Sequence, residues 1–452
     1  MKIRGQWLAV IGALGMLAAA GGCSGSSNEG GTPSSGGGAG AGATGGGGSA
    51  GAGATGGGGS AGAGATGGGG SAGAGATSGG GGAGGQGGAA GAAGSSGAGS
   101  CTPGAKQCSG STPQTCSSSG AWESGSACAG ATPSCYAGAC VSQPSCAVDG
   151  GGRTNCGTGG NESCCTSLSV KGGTFYRDYT DPPTGDYWTK NYPATVADFR
   201  LDKYEVTVGR FRKFVEAWVG GWRPVAGAGK HMHLNGGLGL VNSGAGGGNE
   251  PGWDASWSSG LAQSTVDWDT NLACDPDYQT WTPSAGGNEN RPINCASWSE
   301  LYAFCIWDGG FLPSEAESHY AASGGSEQRK YPWGSNDPGA NADLAIYGCY
   351  YNGSGSCTGV TNIAPVGSAP NGAGKWGQQD LAGNVWEWRL DWRANAYDVS
   401  CNDCAHTTPA SSRVVLGGDF HDIASVLLSP YRFDYNPSYR SRALGGRCAR
   451  TP

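Results

Sequence analysis

The sequence predicts an α+β fold with little regular secondary structure for the part of the chain that follows residue 170. Residues 199–218 begin with the alternating apolar pattern of a strand and then change to the spacing of a helix. Residues 291–323 hold two further helices, the first of which starts with Ser297 and Glu300 in capping-box spacing. The remaining segments are short, interrupted by Gly and Pro, and rich in Trp and Tyr. This pattern is typical of α+β domains with long ordered loops.

The composition differs sharply between the two ends of the chain. Of the 452 residues, 93 are Gly, and most of the excess lies in the first hundred positions. The 16 Trp and 17 Tyr residues fall almost wholly after residue 175, so the C-terminal part can bury a substantial core. The formal net charge of −7 disfavours a nucleic-acid partner, because phosphate binding requires a basic face.

The N-terminus has the pattern of an export signal. A short basic start precedes the apolar run 7–20, which is too short to span a bilayer comfortably and is followed by AGGC. We predict a signal peptide over 1–22 and lipidation of Cys23, which would anchor the chain to a membrane of a bacterial cell envelope. Ala20 stands where a lipobox usually has Leu, so cleavage after Ala20 and secretion is the alternative. Of the 19 cysteines, 18 remain without Cys23, an even number that suits disulfides in an oxidising compartment.

Residues 23–100 are predicted to be the lipidated cysteine and a disordered linker. The unit GAGATGGGGSA repeats at 40–50, 51–61 and 62–72. No Val, Ile, Leu, Met or aromatic residue occurs between 24 and 100, so the segment cannot form a core. As a flexible coil it would span roughly 50 Å and hold a domain away from a membrane surface.

Residues 101–146 are predicted to form a small disulfide-rich module. The segment 101–140 has one Trp and no aliphatic run, so it cannot fold on burial alone. Its six cysteines leave fifteen pairings open; they are Cys101, Cys108, Cys116, Cys128, Cys135 and Cys140. A zinc site is disfavoured because the segment has no His and no paired C-x2-C motif. Four more cysteines lead into the last domain: Cys146, Cys156, Cys164 and Cys165.

Seven motifs in the last domain carry a resemblance to a known family. In chain order they are RLDKYEVTVGRFRKF, PINCASWSELYAFC, LPSEAESHYAA, YPWG, APVGSAPNGAGKWGQQDLAGNVWEW, RVVLGGDF and GGRCAR. Together they resemble the sulfatase-modifying-factor family, whose best-known member, the formylglycine-generating enzyme, oxidises a cysteine of sulfatases to formylglycine. The resemblance covers roughly residues 170–450. It implies a C-type-lectin-like α+β scaffold for a domain at 147–452.

The resemblance also implies a calcium site around GNVWEW. Its ligands would be two carboxylates and three main-chain carbonyls, from Asp380, Glu387, Leu381, Gly383 and Val385. The chemistry is consistent, since calcium takes about six to eight hard oxygens in flexible geometry. Trp386 and Trp388 would point away from Glu387 and pack into the core. The alternative is that Glu387 is solvated or paired with an arginine such as Arg389.

The position of the family's catalytic cysteines is a departure. Formylglycine-generating enzymes carry a C-x4-C pair that binds copper(I), because soft thiolates suit that ion. Counted from Gly417-Gly418, these positions hold Asp422 and Leu427, and no cysteine lies between Cys404 and Cys448. We therefore predict neither copper nor catalytic cysteines.

Three polar residues in the same segment could replace the lost site. On a strand, Asp419 and His421 would share a face next to Asp422, in reach of a hard metal or for acid–base chemistry. The alternative is a solvated strand end.

Two further motifs invite functional interpretations. His231 and His233 form an H-x-H pair without an evident third metal ligand. Cys401 and Cys404 form a C-x2-C pair that is redox-active in some proteins, but a local disulfide fits an exported, cysteine-rich chain better.

These observations favour a tethered binding module. The predicted function is a calcium-stabilised domain whose aromatic groove takes a peptide, a glycan or a partner protein. The alternative is an enzyme of the family, with residual protein-cysteine oxidation or a new metal-dependent activity. A structural envelope protein is a third possibility. The missing cysteine pair favours binding.

Overall fold

The computed structural model describes residues 101–109, 112–128, 134–136, 138–397 and 400–452. The predicted signal peptide, Cys23 and the repeat linker lie outside the described residues. Within the described ranges, no helix is long and apolar enough to cross a membrane. The predicted α+β class with little regular structure is confirmed, because the described residues combine four short α-helices with many short strands.

The cysteine-rich segment forms two small antiparallel sheets. Strands β1, β2 and β3 form one sheet and strands β4 and β5 form a hairpin. Their bounds are β1 Lys106–Ser109, β2 Thr112–Cys116, β3 Trp122–Ser124, β4 Ser134–Tyr136 and β5 Ala139–Val141. Disulfides join Cys101 to Cys116 and Cys128 to Cys140, and Cys135 is also disulfide-bonded. The sheets are therefore held by covalent links, as expected for a segment with so little apolar surface.

The C-terminal domain contains the remaining strands and all four helices. The strands are β6 Ser167–Val170, β7 Gly173–Tyr176, β8 Tyr179–Thr184, β9 Tyr187–Trp188, β10 Pro193–Val196, β11 Phe199–Asp202, β12 Val241–Asn242, β13 Trp386–Trp392, β14 Cys401–Asn402, β15 Cys404–Ala405, β16 Arg413–Leu416, β17 Arg432–Tyr435, β18 Leu444–Gly445 and β19 Ala449–Arg450. The helices are α1 Val208–Val219, α2 Thr265–Asn271, α3 Trp298–Trp307 and α4 Glu315–Ala322.

One four-stranded sheet positions the candidate sites. Its strand order is β17-β16-β13-β18, with antiparallel pairs except between β13 and β18. Glu387 lies opposite Leu416 and Trp392 lies opposite Arg413, with an irregularity between these two pairs. The other strands form the sheets β19-β11-β6 and β14-β10-β7 and the pairs β12-β15 and β8-β9.

The predicted start of α3 is confirmed by its cap, and α4 begins in the same way. At α3, the Glu300 carboxylate accepts a hydrogen bond of 2.9 Å from the Ser297 amide. At α4, Ser314 and Glu317 form a reciprocal capping box, with both hydrogen bonds between 2.8 and 3.1 Å. The strand-to-helix change predicted over 199–218 is β11 followed by α1.

Aromatic side chains fill the largest core. Phe211 and Phe214 of α1 pack against Phe304 of α3, with ring centroids 5.7 and 5.9 Å away. Trp218 and Trp268 are fully buried beside them. The apolar residues that recur at helical spacing in α1 therefore face this core.

Two arginines and two aspartates form a buried network between distant parts of the chain. Arg210 reaches Asp202 at 3.0 Å and Asp308 at 2.7 Å, and Arg450 reaches both at 2.8 Å. Burial opposes ionisation of Asp202, but Arg450 and Arg210 hold its pKa below the usual value. The amide of Ser145 also donates to the Asp308 carboxylate, at 2.9 Å. The network therefore joins α1, β11, β19, the end of α3 and the edge of the cysteine-rich segment.

Disulfides supply further long-range constraints. Cys305 in α3 is bonded to Cys448, across a sequence separation of 143. The predicted local disulfide Cys401–Cys404 is confirmed. The other pairs in the C-terminal domain are Cys146–Cys165, Cys156–Cys164, Cys274–Cys295 and Cys349–Cys357.

Replacing Asp308 by Ala should strongly destabilise the domain. The change leaves Arg210 and Arg450 buried with one carboxylate between them, and breaking such a network costs about 3–5 kcal/mol. Guanidinium unfolding of the two proteins measures the difference. Glu216→Ala, which removes a surface pair with Lys213, should cost about 1 kcal/mol or less. Equal losses in the two variants would contradict the structural role of the network.

Candidate functional site

The loop before β13 has the curled backbone that the calcium prediction requires. Asp380, Gly383 and Asn384 have positive φ angles of 55°, 88° and 64°. A Cβ at position 383 would lie 2.4 Å from the main-chain oxygen of Ile346, so only Gly fits there. Trp386 is buried in the following strand, as expected.

Two arginines bind the Glu387 carboxylate, and the sequence predicted one of them as a possible partner. Arg389 donates from Nη2 to one carboxylate oxygen at 2.8 Å, as the alternative interpretation proposed. Arg447 approaches both oxygens, with Nε at 2.8 and 2.9 Å and Nη2 at 2.6 Å. The same Nη2 lies 2.9 Å from the main-chain oxygens of Gln379 and Asp380. Arg447 therefore links the start of the loop to its last predicted ligand.

Buried acidic side chains outnumber buried arginines around this loop. Glu205, Asp380 and Glu387 are all buried, as are Arg389 and Arg447. Burial, followed by the charges of Asp380 and Glu387, raises the pKa of Glu205 well above its usual value. Burial also raises the pKa of Asp380 to about 6. The surplus carboxylate has the charge and the hard oxygens that calcium prefers.

The donor set fits calcium at Asp380 better than at Glu387. Oδ2 of Asp380 accepts one hydrogen bond, from the Gly367 amide at 2.6 Å, whereas Glu387 shares its carboxylate with Arg447 and Arg389. A calcium ion would therefore be held chiefly by Asp380 and carbonyls of the loop, with Glu387 shared. The ligand set itself stays a prediction.

The expectation that Asp419 and His421 share a strand face is wrong. Strand β16 ends at Leu416, and the chain turns through Gly417 and Gly418, whose φ angles are 104° and 75°. Asp419 is buried, whereas the His421 side chain is 55% exposed. The chain turns here because carboxylates accept hydrogen bonds from nearby backbone amides, which favours a turn over a strand.

The turn nevertheless brings three possible metal ligands together. Oδ1 of Asp419 accepts from the amides of His421 and Asp422, at 2.7 and 3.1 Å. Ligand atoms of these three residues all lie within 4.8 Å of one another. Burial and the charge of Asp422 raise the pKa of Asp419 to about 7. Leu427, at the second family cysteine position, is buried in an apolar cluster and adds no ligand.

His231 lies between two carboxylates and is fully buried. Its Nδ1 is 3.0 Å from both oxygens of Glu250, and its Nε2 is 3.0 Å from Glu317. Burial alone would lower its pKa, but Glu317 and Glu250 raise it to about 10. Both ring nitrogens of the protonated ring act as donors, so His231 has no lone pair for a metal. The H-x-H pair is therefore part of a structural ion network, with His233 beside it.

Two adjoining hollows form a tryptophan cleft. The hollows have volumes of about 520 and 360 Å³ and share Trp257, Trp298, Trp392 and Arg413. The sequence predicted an aromatic groove but not its members, because these residues come from four separate segments. The large number of aromatic residues in the domain was the feature of the sequence that indicated the cleft.

Arg413 is inserted between two rings of the tryptophan cleft. Its Cζ lies 3.7 Å from the ring centre of Trp298 and 3.6 Å from that of Trp392. Its Nη1 donates to the main-chain oxygen of Leu390. Burial lowers the pKa of Arg413 to about 9, a range in which it still carries its proton at neutral pH.

The family is decided by a match over most of the described chain. Residues 154–452 match the model of the sulfatase-modifying factor enzyme 1-like domain. The chain belongs to this family. The match agrees with the predicted family and begins within the predicted domain at 147–452.

Relatives of the sulfatase-modifying factor domain include both enzymes and inactive proteins. The chain is 36% identical over 171 residues to a formylglycine-generating enzyme of Streptomyces coelicolor, covering 36% of this chain and 54% of that protein. It is 28% identical over 277 residues to that of Thermomonospora curvata, covering 56% and 82%. It is 28% identical over 301 residues to the inactive C-alpha-formylglycine-generating enzyme 2 of Bos taurus, covering 64% and 89%. Membership alone therefore does not assign an activity.

The solved structure of PvdO from Pseudomonas aeruginosa is similar to the sulfatase-modifying factor domain. The two share 19% sequence identity, with a TM-score of 0.41 and coverage of 63% of this chain and 94% of that one.

The stability of the sulfatase-modifying factor domain should fall as pH rises above neutrality. The folded-state pKa of His231, about 10, exceeds its ordinary value of 6.5, so the bound proton stabilises the folded state. This contribution is complete below about pH 6.5 and is lost as pH rises through 10. Guanidinium unfolding at about pH 6, about pH 7.5 and about pH 9 measures the slope.

His231→Gln should lower the free energy of unfolding at pH 7 and flatten this slope. Met232→Gln changes the exposed neighbour and should retain the parent slope. A slope that is unchanged in His231→Gln would contradict the assignment.

Proposed function

We propose that this chain is a ligand-binding member of the sulfatase-modifying factor family without copper oxidase activity. The observation that carries the proposal is that every cysteine from Cys146 to Cys448 is disulfide-bonded within residues 138–397 and 400–452. Copper(I) in a site of the implied kind requires thiolates. The family positions for those thiolates hold Asp422 and Leu427. The absence of both ligands supports a binding role over oxidation.

The proposed module is exported and tethered to the bacterial cell envelope. The apolar N-terminal run, Cys23 and the repeat linker support a lipid anchor followed by a long spacer. The density of disulfides in the described domains supports an oxidising compartment. Membrane attachment through the lipid would leave the folded domain free to meet a ligand at a distance.

Calcium is proposed to stiffen the loop that precedes β13. Asp380 would be its main carboxylate ligand, with carbonyls of Leu381, Gly383 and Val385, and with Glu387 shared. Support comes from the surplus of buried acid over buried base and from the positive φ angles that curl the loop. The ion would supply rigidity and charge balance rather than chemistry.

Of the three ligand classes predicted, a glycan fits the tryptophan cleft best. Trp257 is partly exposed and packs edge-to-face on Trp298 at 5.3 Å, which offers flat apolar faces to the C–H faces of a sugar. Ser256, Ser259 and Ser438 line the smaller hollow and offer hydroxyl groups to sugar hydroxyls. A few polar groups on an aromatic lining are the usual make-up of such sites.

A metal-dependent enzyme is the second candidate function. The closeness of ligand atoms from Asp419, His421 and Asp422 favours it. A divalent ion held there would occupy the region of the family's catalytic cysteines. The mutual hydrogen bonds of the two aspartates with backbone amides give the turn an alternative, purely structural role.

Metal content and oxidase activity should separate these functions. The full chain, purified and dialysed against copper and calcium, should retain about one calcium and no copper by mass spectrometry, since copper lacks thiolate ligands. A sulfatase peptide with its target cysteine should stay unmodified under oxygen. Stoichiometric copper or formylglycine product would overturn the proposal. Retention of another transition metal that is lost in Asp422→Asn would favour the second candidate.

Calcium should raise the unfolding temperature of the parent protein. At a calcium concentration of about 100 times Kd, binding adds about 2.7 kcal/mol to stability. Asp380→Asn keeps the side-chain shape but removes the charge, so the calcium-dependent shift should shrink. Glu123→Gln, on the exposed module, is the matched control and should keep the shift. Identical melting with calcium and with a chelator would count against the ion.

A further inference from the structure

We infer that the tryptophan cleft selects an anionic glycan and that Arg413 binds its acidic group. This inference rests on the proposed glycan-binding function and adds the chemical class of the ligand. The acidic group is a carboxylate or a sulfate on a sugar ring.

The first observation is a buried cation that lacks an acidic partner. Arg413 is 4% exposed, and its Nε is buried without a hydrogen-bond acceptor. Among the described residues, no carboxylate lies within ion-pair distance of it. By contrast, the buried Arg210 and Arg447 each contact carboxylates at 3.0 Å or less. A buried charge without a carboxylate in direct contact is costly, so the site favours an incoming anion.

The groups around Arg413 leave one edge of its guanidinium group available to a ligand. Trp298 and Trp392 cover the two faces of the guanidinium, and Leu390 accepts from Nη1. Asp391 favours the cation through its charge. Its oxygens, however, already accept from the amides of Glu315 and His406, both at 2.7 Å. Arginine presents several donors in a planar fork that matches a carboxylate or sulfate, so the remaining donors suit an acidic sugar.

The lining of the two hollows indicates where the acid sits. The larger hollow is lined by two acids, Glu250 and Asp254. The smaller hollow is lined by no acidic residue, and it combines Arg413 with serines and three tryptophans. Ser438 donates its hydroxyl hydrogen to Asn436 at 2.8 Å, so its oxygen is left as an acceptor for a sugar hydroxyl. An acidic ring therefore fits the smaller hollow, and a neutral ring fits the larger.

The test compares acidic and neutral oligosaccharides on the full chain. The probes are a galacturonate trisaccharide, its neutral methyl ester, and a sulfated and an unsulfated galactose trisaccharide. Binding is measured by calorimetry and by quenching of tryptophan fluorescence. At least one acid should bind about tenfold or more tightly than its neutral counterpart, because a charged hydrogen bond is made in a desolvated site.

Variants assign the preference to Arg413. Arg413→Gln should remove the preference for the acid, and Arg413→Lys should retain part of it through the charge. Trp257→Ala should weaken acidic and neutral probes alike. Trp188→Ala removes an exposed tryptophan outside the cleft and should change neither. If Arg413→Gln does not fold, the comparison of acid and ester on the parent protein still decides the preference.

The outcomes separate the inference from the proposed function. Equal binding of acidic and neutral sugars by the parent would overturn the inference and leave glycan binding intact. Failure of all four sugars to bind would overturn both. A preference for the acid that survives in Arg413→Gln would overturn the role of this residue. Binding of a peptide with a free C-terminal carboxylate, but of no sugar, would replace the glycan by a peptide ligand and so overturn the inference as stated.

Discussion

The fold depends on the pairing of C-terminal arginines with buried acids. Arg447 reaches Glu387 in the central sheet, and Arg450 reaches Asp202 and Asp308. Between them, Cys448 is bonded to α3. Long loops supply few ladder hydrogen bonds, so these contacts fix the relative positions of sheets and helices that would otherwise be weakly coupled.

Buried arginines and buried acids are balanced differently at different sites. Around Asp202 and Asp308, two arginines balance two acids, and the network is closed. Around Asp380, the acids outnumber the arginines by one, and a cation or a proton is needed. At Arg413, the imbalance is reversed, because a buried cation has aromatic faces but no acid. Sites of ligand binding are thus proposed where buried charge is unbalanced, and structural sites where it is balanced.

Local features of the fold were predictable from the sequence. The caps of α3 and α4 each depend on residues that are close together in the sequence. The same is true of the change from β11 to α1, so residue spacing is enough to predict these features. The sequence motifs likewise predicted the family. The assumed strand after β16 was wrong because two glycines and the Asp419 side chain formed a turn instead. A carboxylate that accepts hydrogen bonds from nearby backbone amides favours a turn, in competition with strand pairing. The periodicity of the sequence does not show which of the two structures forms.

Contacts between distant segments could not be predicted in this way. Glu387 was assigned one possible partner, Arg389, because it is close in sequence, whereas Arg447 lies 60 residues away. The tryptophan cleft draws on segments around Trp257, Trp298 and Trp392, and no single segment shows a recurring pattern. Such sites depend on how the chain is folded back on itself, which a single sequence without aligned relatives does not show.

The C-terminal contacts come from a segment that is synthesised after the elements it joins. Residues 446–450 provide a second arginine for Glu387, the bond to Cys305 and a second arginine for Asp308. The aromatic core and the capped helices can form earlier, with Arg210 beside Asp202 and Asp308 and Arg389 beside Glu387. A chain truncated before residue 446 would keep these pairs but would leave each of the three buried acids one arginine short.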